Sequence, residues 1–230
     1  MIVRQQEDHF ILIPQHDHAL VSGEFALHWN HEIVPRKETL YAISYHDVGW
    51  KKLDQSVLWD EKTNQPTDFS RYPLKEKIEA YQEGIKIVQS KEPYAGYLCS
   101  LHFASFFKND QSELGMYFFQ GELDRQHKLK QHFTRLEMQS MKENFALLQF
   151  CDHLSLAICL NEPKKNTHPW YKNGLMYQGV RYHWIWESDT CLRLEPNQFD
   201  SSFIIRIPYQ VIDKNRQVVN EDVYIYKILA

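Results

Sequence analysis

The chain has 230 residues, of which 43% are apolar and 14% aromatic, enough for one substantial core and too apolar for a disordered polymer. Its formal net charge of -4 argues against a general attraction to nucleic acid, while leaving room for a local basic cleft that takes a small anion. Cys99, Cys151, Cys159 and Cys191 form no Cys-x-x-Cys pair, no stretch approaches bilayer-spanning length and no long apolar signal region opens the chain, so a cytoplasmic protein with reduced thiols and no membrane partner is expected.

In chain order, residues 1–4 and 10–13 are short extended pieces rich in Ile and Val and closed by Pro14. A helix follows with Asp17 as its expected N-cap, Leu20, Val21, Phe25, Ala26 and Trp29 at helical spacing, and His18 in its first turn. A second helix spans about residues 36–45 after Pro35 and delivers His46 and Asp47 at its end, before Gly49. Residues 53–72 are polar and aperiodic, which predicts a surface loop with the length of a lid. Ile78, Tyr81, Ile85 and Val88 mark one face of a third helix, and Ala95, Leu98, His102 and Phe106 a stripe on a fourth beginning after Pro93. A charged helix is expected from about Gly121 through Phe133 towards Leu148, then a stretch in which Asp152 takes a place that periodicity assigns to the core. From about Tyr177 to Ala230, alternation such as Phe203-Ile204-Ile205-Arg206-Ile207 predicts antiparallel strands, with the N-terminal pieces as candidate additions.

His18, His46, Asp47, His102 and Asp152 thus interrupt otherwise buried helix faces. A lone histidine there is more often a hydrogen-bonded core residue than a ligand. Several titratable groups together reverse those odds, because desolvating an unpaired charge costs several kcal/mol or more. Imidazole and carboxylate ligands without thiolates suit an open site for a divalent metal, one or two ions of Fe, Mn, Ni or Zn, rather than a closed structural zinc site.

A His early in one helix, a His-Asp pair at the end of the next and a distant Asp on a later helix resemble the HD-domain superfamily. His18 in His18-Ala19-Leu20-Val21-Ser22-Gly23, His46-Asp47, and Asp152 in Phe150-Cys151-Asp152-His153-Leu154-Ser155 match these positions, and His102 matches the extra His of dinuclear members. More closely, Gln15-His16-Asp17-His18-Ala19, His46-Asp47-Val48-Gly49-Trp50, Ser100-Leu101-His102 and the β-rich tail resemble a bacterial family, domain of unknown function 3891. The resemblance implies a mainly α fold within one domain of residues 1–230: an HD-like helical bundle over 15–162 with a small antiparallel β appendage over 177–230. A dinuclear centre would need a further His, for which His127 is the candidate. Many HD phosphohydrolases carry Lys directly after His-Asp-x-Gly. Trp50 stands there in this chain, so Lys51, Lys52 and Arg125 are the cations expected to hold an anionic small-molecule substrate, with Asp47 as the central catalytic carboxylate. The activity implied is metal-dependent hydrolysis of a small phosphoester or nucleotide. Alternatives are a di-iron oxygenase of the HD type and a non-catalytic protein whose metal organises a ligand cleft.

Overall fold

The computed structural model describes residues 1–230. Six α-helices run Gln15–Leu27 (α1), Arg36–Tyr45 (α2), Leu74–Lys91 (α3), Pro93–Phe106 (α4), Glu113–Lys130 (α5) and Arg135–Leu160 (α6). Proline punctuates them: Pro14, Pro35 and Pro73 sit extended immediately before α1, α2 and α3, and Pro93 opens α4, where its missing N–H costs nothing. α1 therefore begins at Gln15 and not after Asp17, which lies in its first turn. The Gln15 N–H is instead satisfied from outside the helix by Asp54 Oδ2, at 2.5 Å. The charged helix expected from Gly121 to Leu148 is two helices, because Thr134 and Glu137 form a reciprocal capping box that starts α6 afresh. α4 is buried nearly all round, the mark of a helix at the centre of a bundle.

The β component overturns the expectation of a mainly α chain with a small appendage. Helical residues make up 47% and strands 23%, and seven strands form one curled sheet that is a major part of the fold. These strands are Ile2–Gln5 (β1), His9–Ile13 (β2), Leu175–Tyr177 (β5), Val180–Trp186 (β6), Cys191–Glu195 (β7), Phe203–Asp213 (β8) and Val218–Leu229 (β9), in the order β1-β2-β8-β9-β7-β6-β5. The sheet is large because β2 pairs with β8, joining the N-terminal hairpin to the C-terminal strands, and because β8 and β9 are long. It is not purely antiparallel, since β7 and β9 run parallel. The remaining two strands, Trp59–Asp60 (β3) and Gln65–Pro66 (β4), give the 53–72 segment a small ladder of its own. That segment is fastened at its tip, where Arg216 pairs with Glu61 at 2.7 Å and lies over the Trp59 ring.

Sheet and helices share one core. On β8, Phe203, Ile205 and Ile207 are buried while Ile204 and Arg206 face out. Phe25 of α1 packs on Trp184, Phe199 and Phe203, and Phe150 of α6 stacks on Tyr177 and meets Tyr182 edge-on. A single cluster of 43 buried residues runs from Ile2 to Ile228. No helix is long and apolar enough to cross a membrane.

The turn after α2 depends on a close backbone approach. A Cβ at Gly49 would collide with the Ala80 carbonyl oxygen of α3, and one at Gly84 of α3 would lie 3.0 Å from the Gly49 nitrogen. Gly49→Ala is expected to destabilise the fold by about 2–3 kcal/mol and to displace the neighbouring His46-Asp47 pair, read by urea unfolding and by the shift of the histidine resonances in NMR.

Candidate metal centre

Four helices bring the candidate ligands together. α1 carries His18, the end of α2 carries His46 and Asp47, α4 carries His102 and α6 carries Asp152, and none of the five is more than 5% exposed. His18 Nε2 lies 2.8 Å from Asp47 Oδ2. His46 Nε2 is 3.5 Å from Asp152 Oδ1 and 3.9 Å from Asp47 Oδ2, and His102 Nε2 is 3.7 Å from Asp152 Oδ2. One donor atom each from His18, His46 and Asp152 falls within 4.8 Å of the others. Bonds of about 2.0–2.3 Å put neighbouring donors of one ion about 3 Å apart and opposite donors about 4–4.6 Å apart, so these separations fit one coordination sphere with Asp47 at its edge.

Hydrogen bonds behind the cluster orient its members. His46 Nδ1 donates to the Ile43 carbonyl at 2.8 Å, which turns Nε2 inward, where it is buried with no hydrogen-bond partner. Ser155 gives its own proton to the Asp152 carbonyl and so accepts from His18 Nδ1 at 2.8 Å, which leaves His18 Nε2 as the nitrogen facing Asp47. Gln15 Nε2 donates to Asp47 Oδ2 at 3.1 Å. A nitrogen lone pair aimed into a group of carboxylates and left unpaired needs a cation, either a proton or a metal ion.

No lysine or arginine pairs with Asp47 or Asp152, so the imidazoles carry the compensation. Burial by itself would lower the His46 pKa, but Asp47 and Asp152 outweigh it and hold it at about 9. Burial would raise both carboxylates, and the surrounding histidines instead hold them below the usual range. His102, buried with Nδ1 unpaired, is pushed down to about 4 by desolvation and stays neutral at neutral pH, the form in which imidazole ligates.

The other candidates lie elsewhere. His127 is exposed on α5 beside Gln131, and Arg125 is engaged by Glu122 at 2.9 Å and Gln89 at 2.7 Å, so the structure brings neither to the cluster. Lys51 and Lys52 are exposed at the end of the turn after Asp47, and after burial the Lys51 charge is the next cause that lowers the His16 pKa to about 4. Gln15 and the Ile43 carbonyl were not anticipated as parts of the site. Ser155 carries one signal, its place one turn after Asp152 on the same apolar face. Tyr81 joins them: burial, then the charges of Asp47 and Asp152, raise its pKa well above the ordinary value.

The profile of the family described as Protein of unknown function (DUF3891) matches residues 1–214, and the chain belongs to that family. No curated protein and no solved structure matches it.

The pH dependence of the metal-free protein follows from these shifts. His46, raised from 6.5 to about 9, stabilises the fold fully below its unfolded value, and that contribution is lost as pH rises through about 9. The two depressed carboxylates contribute above the ordinary carboxylate range and lose their contribution in acid. EDTA-treated protein is therefore expected to lose on the order of 3 kcal/mol between about pH 6.5 and pH 10 in urea unfolding, with the loss abolished in His46→Gln. A flat alkaline profile in the wild type would show that His46 is uncharged.

Proposed function

We propose that this chain is a metal-dependent phosphohydrolase of the HD type, acting on a small anionic phosphoester or nucleotide. The observation that carries the reading is His46 Nε2: buried, unpartnered, locked in direction by the Ile43 carbonyl and facing Asp152 and Asp47. His18, His46, Asp47 and Asp152 would hold one ion, and His102, neutral and 3.7 Å from Asp152, would support a second. A divalent ion bound there supplies Lewis acidity for attack of water on a phosphoryl group.

The chain's own residues set up that chemistry. Gln15 and His18 fix Asp47 Oδ2, so this carboxylate enters the reaction already oriented. Burial excludes bulk water, which strengthens every charge interaction inside the cluster. Lys51 and Lys52, at the end of the turn that follows Asp47, are the cations that would hold an anionic substrate. The four cysteines, all unpaired, support a cytoplasmic location.

Asp47→Ala is expected to cut hydrolysis at least about a hundredfold while shifting the melting temperature only modestly, because it removes a ligand and little apolar packing. The assay is a panel of phosphomonoesters, nucleoside phosphates and cyclic dinucleotides with Mn2+, Fe2+, Ni2+ and Co2+ added separately, alongside elemental analysis of protein purified without chelator. Two ions per chain falling to one in His102→Ala would support the second site. Bound metal with no turnover anywhere on the panel would overturn the hydrolase reading.

A further inference from the structure

A cavity of about 430 Å³ opens between the β1 end of the sheet, residues 68–71 and the loop after α6, and it shares no residue with the metal centre. Its two carboxylates already have partners of their own. Asp68 accepts the backbone N–H groups of Val3 and Ser70, at 3.3 and 2.8 Å, and Glu162 is held by Lys165 at 2.8 Å. Arg4 and Arg71, in the same lining, make no ion pair, so the cavity carries two guanidiniums that no carboxylate engages directly, although the hydrogen-bonded Asp68 keeps its negative charge.

Arg4 is the more telling of the two, being only 6% exposed. Its Nη1 donates to the Asn161 carbonyl just beyond α6 at 2.5 Å, and its guanidinium lies 4.9 Å over the Tyr224 ring. Closing off the end of α6 occupies that one nitrogen. It does not account for Nε and Nη2, which are buried without partners on a guanidinium that the nearby Glu162 influences by its charge but does not meet in an ion pair. The cavity also offers flat apolar surface: Trp170, 56% exposed, meets Phe69 edge-on with ring centroids 6.2 Å apart. An exposed indole in the same lining as two guanidiniums without ion pairs is the combination that takes a ring and an anion together.

We propose that this cavity binds a small ligand bearing an anionic group, carboxylate or phosphate, on a planar ring. The anion lies between Arg71 at the rim and Arg4 in the wall, and the ring lies against Trp170 and Phe69.

The test is calorimetric titration of the full chain, stripped with EDTA so that the result is independent of the metal centre and of any turnover there. The probes are phenylphosphonate, benzoate, methylphosphonate and benzyl alcohol. Saturable binding of one ring anion per chain is expected, with methylphosphonate and benzyl alcohol at least about ten-fold weaker, and the choice between phenylphosphonate and benzoate identifies the anion. Arg71→Ala and Trp170→Ala, both at exposed positions, should each weaken the ring anion about ten-fold or more with an unchanged circular dichroism spectrum. Arg4→Lys keeps the charge but loses the fork, and should also weaken binding. Absence of saturable binding of either ring anion, undiminished affinity in both Arg71→Ala and Trp170→Ala, or equal binding of benzyl alcohol would overturn the proposal.

Discussion

Two carboxylates, Asp47 and Asp152, are buried between helices with no lysine or arginine to neutralise them. Sequestering such charges is affordable only if a cation stays in place, and the only basic side chains within reach of the two carboxylates are imidazoles, with His18 and His46 next to Asp47 and His46 next to Asp152. Much of the local architecture serves this constraint. Ile43 and Ser155 set which nitrogen of His46 and of His18 faces the carboxylates, and His102, kept neutral by burial, stands beside Asp152 without adding charge. Asp47 and Asp152 hold the His46 pKa up at about 9, which favours a proton on its Nε2 when no metal is bound. A divalent ion in the proposed reading competes for the same nitrogen, so metal affinity and protonation are linked through one atom.

The scaffold holds four separate helices to this geometry by close backbone approaches and long-range caps. The turn after Asp47 sits directly on α3 at Gly49 and Gly84, which leaves the His46-Asp47 pair little freedom to shift along its axis. Asp54, from the segment that follows, caps α1 three residues before His18, so a polar surface segment fixes the start of the helix that supplies a ligand. Aromatic packing of Phe25 and Phe150 ties α1 and α6 to the sheet. The sheet thus acts as a rigid back wall for two of the ligand-bearing helices.

The 53–72 segment illustrates how local polarity misleads. Its composition carries no period, and a mobile lid is a natural expectation. In the fold it is pinned at one end by Asp54 on the α1 start and at its tip by Arg216, a residue about 150 positions away in sequence. Likewise the β region reads locally as a tail of alternating strands. Its true extent depends on β2 finding β8, a pairing between chain ends that no local window contains.

What the sequence by itself determined is the set of polar residues that break apolar helical faces. Burial penalises a lone charge so strongly that His18, His46, Asp47, His102 and Asp152 stand out as a group before any coordinates are known. It also determined the helix starts after Pro35 and Pro93, because a fixed backbone angle acts within one residue of its cause, whereas the start of α1 at Pro14 was obscured by Asp17 as a competing cap. The break between α5 and α6 is local as well, written in the Thr134 and Glu137 capping box. Only the tertiary structure decided that His127 and Arg125 lie away from that group and that the sheet is a major part of the architecture rather than an appendage. These outcomes rest on which faces meet and which distant strands pair. Such choices are made by packing energies summed over the whole core, and no single stretch of the chain carries them.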